Sequence, residues 1–247
     1  MINMEDIPED PTSSPANKIE RELVIPGDYL SEKDLKSGMG TFSEKDGTYA
    51  AQLGVKNIRA GYINVVPLGG RYIPRPGDYV IGNIIDIGPS NWLVDIKAPY
   101  PAPLHVNEVP WHVDFGDTAR FLRVGDTILG KIQSVDEIKR VHITMNERDL
   151  RKLHGGLITE ISHSKVPRVI GKGGSMITLI KRYTKCRMFV GQNGRIWIDG
   201  NPEDIMVAVE AIDKINAEAQ VVGLTDSIKA FLEKSYPLNN ANAVSLH

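Results

Sequence analysis

The stretch VIGKGGSMI, Val169 to Ile177, sets three glycines and a lysine between two apolar pairs. The apolar flanks predict an element on each side of a sharp turn. Glycine at Gly171, Gly173 and Gly174 permits positive φ angles and close approach of another molecule to the backbone. Working outward, GGLITEIS reads as a strand, PRVIG as a short helical turn and SMITLIKRY as a helix. CRMFV and RIWID read as a strand pair across the turn GQNG, and NPEDIMVAVEAIDKINAEA as a long helix. That helix has Asn201 as its N-cap, Pro202 in the first turn, Glu203 and Asp204 near the positive end of the dipole, and Ile205, Val209, Ile212 and Ile215 on one face. The order is β-α-α-β-β-α. A further helix is predicted over TDSIKAFLEKSY, capped by Thr225, with an Ile228, Phe231, Leu232 stripe that packs back on this domain.

The rest of the chain is organised differently. The segment MINMEDIPEDPTSSPANK is acidic, Pro- and Ser-rich and poor in large apolar residues, so it cannot repay the entropy of ordering; residues 1–20 are expected to be a flexible tail, as are residues 237–247. Short β-rich runs follow, Tyr49 to Leu53, Val55 to Arg59 and Tyr62 to Leu68, and make residues 21–72 a small N-terminal β domain. The prolines of YIPRPGDYV break the ladder and mark a boundary. Beyond it YVIGNIIDIG, NWLVDIKA, TILGKIQSV and RVHITM supply strands for a five-stranded barrel of the OB type over residues 73–148. Gly77-Asp78 and Gly125-Asp126 each precede an apolar strand, which a shared turn type explains without duplication. Residues 149–236 hold the β-α-α-β-β-α domain. The fold class is therefore multidomain, mainly β plus α+β.

Composition narrows the chemistry. A chain of 247 residues suits two or three small domains, and the formal charge of -2 conceals an uneven distribution. Its single cysteine, Cys186, excludes an intrachain disulfide or a cysteine-clustered zinc site and favours an intracellular, cytoplasmic setting. No run of about 18 apolar residues could span a bilayer. Between Arg151 and Val190 stand nine bases against one acid, Glu160. A Walker loop needs Ser or Thr after Gly-Lys, but Gly173 follows Lys172; a dinucleotide fingerprint needs a small residue where Met176 sits. His105 and His112, and separately His154 and His163, lack zinc-site spacing, and no acids fall in a nuclease spacing, so no metal, cofactor or catalytic activity is expected.

Glycines between two helices after a first strand, ringed by cations, hold the position of the GxxG loop of KH domains, which VIGKGGSMI resembles at Val169, Ile170, Gly171, Gly174 and Ile177. The RNA-binding candidates there are Gly171, Lys172, Gly173, Gly174, Arg168, Lys165, Lys181 and Arg182. In the barrel they are Arg120, Arg123, Lys131 and Arg140, with Lys97 and Lys139, for phosphates, and Trp92 and His142 for bases. Trp92 has two open readings, a stacking platform or a core residue. Phe121 is expected in the core, and Tyr183 and Trp197 in core or edge packing.

The whole order, with VIPGDYL and LKSGMGT in the first domain and GQNG in the last, resembles the RNA-binding cap subunits of the archaeal RNA exosome over about Glu22 to Tyr236. The retained Gly171 to Gly174 motif fits the archaeal form. The resemblance implies three copies on a hexameric ring of RNase-PH-like subunits, with the first domain docked on the ring. It also implies barrels lining the pore and recruitment of single-stranded RNA 3′ ends, adenine-rich tails included, for 3′-5′ degradation on other chains. The rival readings are a transcription or translation factor binding RNA outside an exosome, and an assembly clamp whose bases only fit an acidic ring.

Overall fold

A computed structural model describes residues 22–31, 35–219, 221 and 223–236; the two expected tails lie outside the described residues. The chain divides into two compact units, residues 1–68 and 69–247.

The first unit holds β1 (Leu23–Val24), β2 (Tyr29–Ser31), β3 (Lys36–Ser37), β4 (Thr41–Glu44), β5 (Gly47–Ala50), β6 (Gly54–Arg59) and β7 (Tyr62–Pro67). They form a four-stranded sheet, β1-β6-β7-β3, and a three-stranded one, β2-β5-β4. The sequence places a strand over Tyr49 to Leu53; the structure ends it at Ala50, where 51–53 bend away. The core is small, formed by Val24, Leu30, Ala50, Ile63 and Val65 with Leu35 packed against it.

The second unit begins with the barrel: β8 (Tyr79–Ile87), β9 (Asn91–Asp95), β10 (Ala102–His105), α1 (Thr118–Phe121), β11 (Thr127–Val135), β12 (Val141–Thr144) and β13 (Arg151–Leu153). The sheet order β12-β10-β9-β8-β11-β13 closes through β11–β12, and β10 meets β12 in parallel at Leu104 and Ile143. β11 pairs with β8 over Thr127–Lys131 and with β12 over Lys131–Val135, with a register shift between Ile132 and Ser134. Such a bulge bends one strand enough to serve two neighbours. β10, flanked and interrupted by Pro101 and Pro103, was not singled out by the strand patterns. The two Gly-Asp turns share one construction, and a third occurs at Gly27-Asp28. Gly27, Gly77 and Gly125 have φ of 92°, 92° and 90°. In each, the aspartate carboxylate accepts the backbone N–H three residues earlier, from Ile25, Arg75 and Arg123.

The α+β part contains β14 (Leu157–Glu160), α2 (Val166–Ile170), α3 (Ser175–Thr184), β15 (Arg187–Val190), β16 (Arg195–Asp199), α4 (Pro202–Ala217) and α5 (Leu224–Ser235), with sheet order β14-β16-β15. Both faces of this sheet are covered. Met188, Val190, Ile196 and Ile198 pack under the helices with Ala208, Ala211, Ile212, Ile215, Ile228 and Leu232. Trp197 joins the barrel core, with Ile158 and Phe189 packed against it. On α4, Ile205 and Val209 are half-buried at the rim, and the alanines lie at the centre of the packed face. The cap position expected for Thr225 is held instead by Gly223 in a left-handed conformation, with Thr225 the second residue of the helix. Asn201 holds the N-cap position of α4, but its side-chain amide donates to the Asp204 carboxylate and not to the helix end.

Candidate nucleic-acid interface

The loop between α2 and α3 is built from its glycines. α2 buries Val166 and Val169, and α3 buries Met176, Ile180, Tyr183 and Thr184, so both helices are fixed on the core and the intervening turn has one path. Gly171 has φ 76° and ψ 174°, and a Cβ there would lie 2.7 Å from the Met176 backbone nitrogen. Gly173 (φ 61°) and Gly174 (φ 83°) are left-handed too, yet nothing lies within 4 Å of a Cβ at either. Packing therefore explains Gly171, while backbone conformation and an open outer side explain Gly173 and Gly174. What stands open is main chain, at the C-terminal end of α2 and the start of α3.

The candidate cations divide into committed and free. Among the described residues Lys172, Arg168, Lys181 and Arg182 form no ion pair; Arg182 lies over the Tyr183 ring at 5.9 Å. Lys165 does not face the loop freely: its Nζ donates to the Asn216 carbonyl at 2.7 Å, satisfying the C-terminal turn of α4. Lys181 lines a shallow groove of about 320 Å³ with Arg151, Arg187 and Phe189, where β13 of the barrel lies beside β15. The one acid of the basic stretch, Glu160, is held by Lys97 at 2.8 Å and Arg195 at 3.0 Å, leaving the local field positive.

In the barrel the sequence-based candidates fare unevenly. Trp92 is fully buried, and its Nε1–H donates to the Thr118 and Leu122 carbonyls; the core reading holds, and no base can reach the ring. Phe121, expected inside, is 36% exposed and stacks on Trp111, because the buried position falls one residue on, at Leu122. Arg120 pairs with Asp117 at 2.7 Å, and Lys131 pairs with Glu147 at 2.5 Å and lies over the Tyr79 ring. Arg123, Arg140 and His142 are exposed; Arg140 borders a groove with Tyr100. Tyr183 and Trp197 are buried, Trp197 donating to the Gly155 carbonyl. Cys186 is buried beside β15, and burial pushes its thiol pKa up, the opposite of what a nucleophile needs. Among the described residues no group of His, Cys, Asp and Glu is arranged to hold a metal, and no helix is long and apolar enough to cross a membrane.

Sequence reasoning missed the seam between barrel and α+β domain. Asn193 of GQNG is 1% exposed. Its amide donates to the Ile81 carbonyl at 2.8 Å and the Ile96 carbonyl at 3.0 Å, and its Oδ1 accepts the Ile81 N–H at 3.4 Å. The Gln192 N–H donates to Tyr79. Arg195, itself buried, donates to the Asp95 carboxylate at 2.5 Å and the Asp95 carbonyl at 2.7 Å. Burial raises the Asp95 pKa, but hydrogen bonds from Arg195 and the Lys97 N–H outweigh it and hold the carboxyl below its ordinary range. Hydrogen bonding from Lys97 likewise lowers Glu160, against a smaller burial effect. GQNG is thus a clasp: Gly194 (φ 83°) has no room for a Cβ against the Ile161 carbonyl, and Asn193 locks the turn to β8.

Known proteins share this arrangement. A KH domain family matches residues 157–214, the S1 domain of RRP4 matches residues 71–114, and the N-terminal domain of the exosome RNA-binding protein RRP4 matches residues 21–69. Exosome complex component Rrp4 of Methanosarcina mazei is 46% identical over 215 residues, spanning 87% of this chain and 83% of its own. That of Thermoplasma acidophilum is 45% identical over 215 residues, spanning 87% and 91%. A crystal structure described as an exosome complex RNA-binding protein aligns with TM-score 0.64 at 37% identity, covering 69% of this chain and 99% of that one. With an N-terminal β domain, an S1 barrel of the OB type and a KH domain carrying an intact Gly171–Gly174 loop, the chain belongs to the Rrp4 family of RNA-binding exosome components.

Proposed function

We propose that this chain is the non-catalytic cap of an exosome, gripping single-stranded RNA at the Lys172-Gly173-Gly174 main chain and passing its 3′ end to a ring of RNase-PH-like subunits for 3′-5′ degradation. Three copies cap one six-membered ring in this reading, and the complex works in the cytoplasm. The observation that carries it is the open left-handed backbone of Gly173 and Gly174, with Lys172 in the loop itself, Arg168 on α2 and Lys181 and Arg182 further along α3 forming no ion pair among the described residues. Exposed main chain can approach a phosphate closely, and the cations release counterions when they neutralise it.

The N-terminal unit supports the ring partner. Around its small core it exposes Leu23, Ile25, Tyr29, Leu53, Ile58 and Val66, apolar side chains that a ring subunit would cover.

The test is the affinity of the full chain for a labelled oligoadenylate, compared with Lys172→Asp/Gly173→Asp. Gly173 has open space for a side chain, and Asp meets the left-handed region at lower cost than most residues, so the variant is compared with wild type by Tm before its affinity is read. Losing a charge-assisted contact and gaining repulsion should weaken binding by about tenfold or more, and wild-type affinity should fall steeply with salt. Unchanged affinity in the variant would remove the loop from the interface. Sizing of the native particle tests the ring: co-elution with RNase-PH-like subunits is expected, and elution of the chain alone would refute that part.

A further inference from the structure

The connector that leads into the barrel passes the loop that leaves β14, and between them lies a polar cleft of about 490 Å³. Arg71, Tyr72, Lys97, Ser162, His163 and Asn193 line it, and none of its lining residues is a carboxylate. That volume falls within the range of small-molecule sites. The lining groups converge from the connector, the end of β9 and the loop before α2, a geometry that suits a compact ligand better than an extended strand.

The charges around the cleft do not balance. Lys97 is paired with Glu160 at 2.8 Å, and Glu160 is shared with Arg195. Asp78, the other nearby carboxylate, accepts the Tyr72 hydroxyl at 2.6 Å and the Arg75 N–H at 3.2 Å. Arg71 and Arg75 are exposed and form no ion pair among the described residues. His163 sits half-buried among these groups, its ring edge-on to Tyr72 at 6.3 Å and sharing a hydrogen bond with the Gly70 backbone. Burial, and then the charges of Arg75 and Lys97, push its pKa down. A cleft whose burial and positive charge keep an imidazole neutral gains most from a ligand that brings negative charge.

We propose that this cleft binds a phosphate-type oxyanion, free or as the terminal group of a mononucleotide, between the Arg71 guanidinium, the Ser162 hydroxyl and the His163 ring. Arg71 offers the forked N–H donors that match such an anion. Ser162, hydrogen-bonded to Ser164 at 2.9 Å, can turn its hydroxyl toward the ligand. The anion favours the protonated form of His163, so binding takes up a proton there. A bound anion ties the connector to the loop after β14 and so orders the entry to the barrel. The proposal does not depend on how the Gly171–Gly174 loop meets RNA.

Titration of the full-length protein with inorganic phosphate, exchanged for chloride at constant ionic strength, gives the test, read by the His163 ring resonance and by Tm. The resonance is expected to move saturably and the His163 pKa to rise. At about ten times the fitted Kd, Tm should rise by about 3–6 °C. Arg71→Ala, at an exposed position, should leave Tm in chloride unchanged and weaken phosphate binding about tenfold. Sulfate, whose own charge is fixed between about pH 5 and 8, should bind more tightly as pH falls, and His163→Gln should remove that dependence. AMP identifies the form of the ligand: affinity equal to that of phosphate assigns the site to the free anion, and affinity about tenfold tighter assigns it to a nucleotide. If neither phosphate nor AMP moves the His163 resonance, there is no such site. If phosphate raises the Tm of wild type and Arg71→Ala equally, the effect is the general stabilisation that excluded anions give any fold, and the proposal is wrong. If oligoadenylate moves the resonance and the two small anions do not, the cleft belongs to the RNA path and the proposal is likewise wrong.

Discussion

Replacing Asn193 by alanine isolates the clasp between barrel and KH domain. The substitution deletes two good hydrogen bonds, to the Ile81 and Ile96 carbonyls, and a longer one from the Ile81 N–H. A buried polar group left without its partner costs about 1–3 kcal/mol. Two facts pull the sum toward the lower end: the Ile81 carbonyl keeps a long contact with Arg195 at 3.5 Å, and the vacated amide volume is polar enough to admit a water. The loss is then about 3 kcal/mol in total. For a cooperative unit the size of residues 69–247, that corresponds to a fall in Tm of about 6–12 °C. Asn193→Asp should be at least as damaging, because it turns a negative oxygen toward the two carbonyls. Differential scanning calorimetry of the full chain and both variants reads the shift. If Asn193→Ala lowers Tm by less than about 2 °C, the seam is not held by this side chain and the clasp is wrong.

Acid should loosen the same seam. Asp95 and Glu160 titrate below their ordinary range in the folded chain, and Asp126, where hydrogen bonds from Lys152 and the Arg123 N–H outweigh burial, does the same. Their contribution is complete above the unfolded carboxylate value near 4 and is lost as pH falls through the lower folded values. His163, lowered mainly by burial and then by Arg75, acts in the same direction, its contribution being lost as pH falls below about 6.5. Tm should therefore decline from pH 7 to pH 3, and a flat profile would contradict the assignment. In the barrel, Trp92→Phe keeps an aromatic ring but removes the indole N–H; the Thr118 carbonyl keeps the Leu122 N–H while the Leu122 carbonyl loses its indole donor, at a cost of about 1–3 kcal/mol, and RNA affinity stays at the wild-type level. A specific loss of RNA binding in a stable Trp92→Phe protein would restore Trp92 to the interface.

What was legible in the sequence was local. The two helices around Gly171 to Gly174 announce themselves by apolar spacing, and the long α4 by its Pro202 and acidic first turn. The Gly-Asp turns were legible for the same reason, since the aspartate bonds a backbone group only three residues away. What escaped needed distant partners or a one-residue register. Pro101 and Pro103 disguise β10, whose membership in the barrel depends on β9 and β12. Trp92 falls in step with Val94 and Ile96, all three fully buried, so the alternation itself pointed inward. Phe121 and Leu122 exchange roles because α1 lasts only four residues and sets its own register. The seam is the clearest case. Asn193 and Arg195 meet groups about a hundred positions away, and nothing in GQNG or RIWID signals that one sheet face is buried against a barrel. The cations illustrate the same limit: Lys165 and Lys181 look alike in the sequence, yet one is tied to a helix end and the other lines a groove.

The central claim is that the main chain of Lys172, Gly173 and Gly174 touches RNA. It is tested most directly by following the backbone amide resonances of the full-length protein while oligoadenylate is added. The account predicts that the Gly173 and Gly174 amides shift saturably, with the same Kd that anisotropy gives for the whole chain. If the RNA binds at that Kd while both glycine amides stay in place, the claim is contradicted.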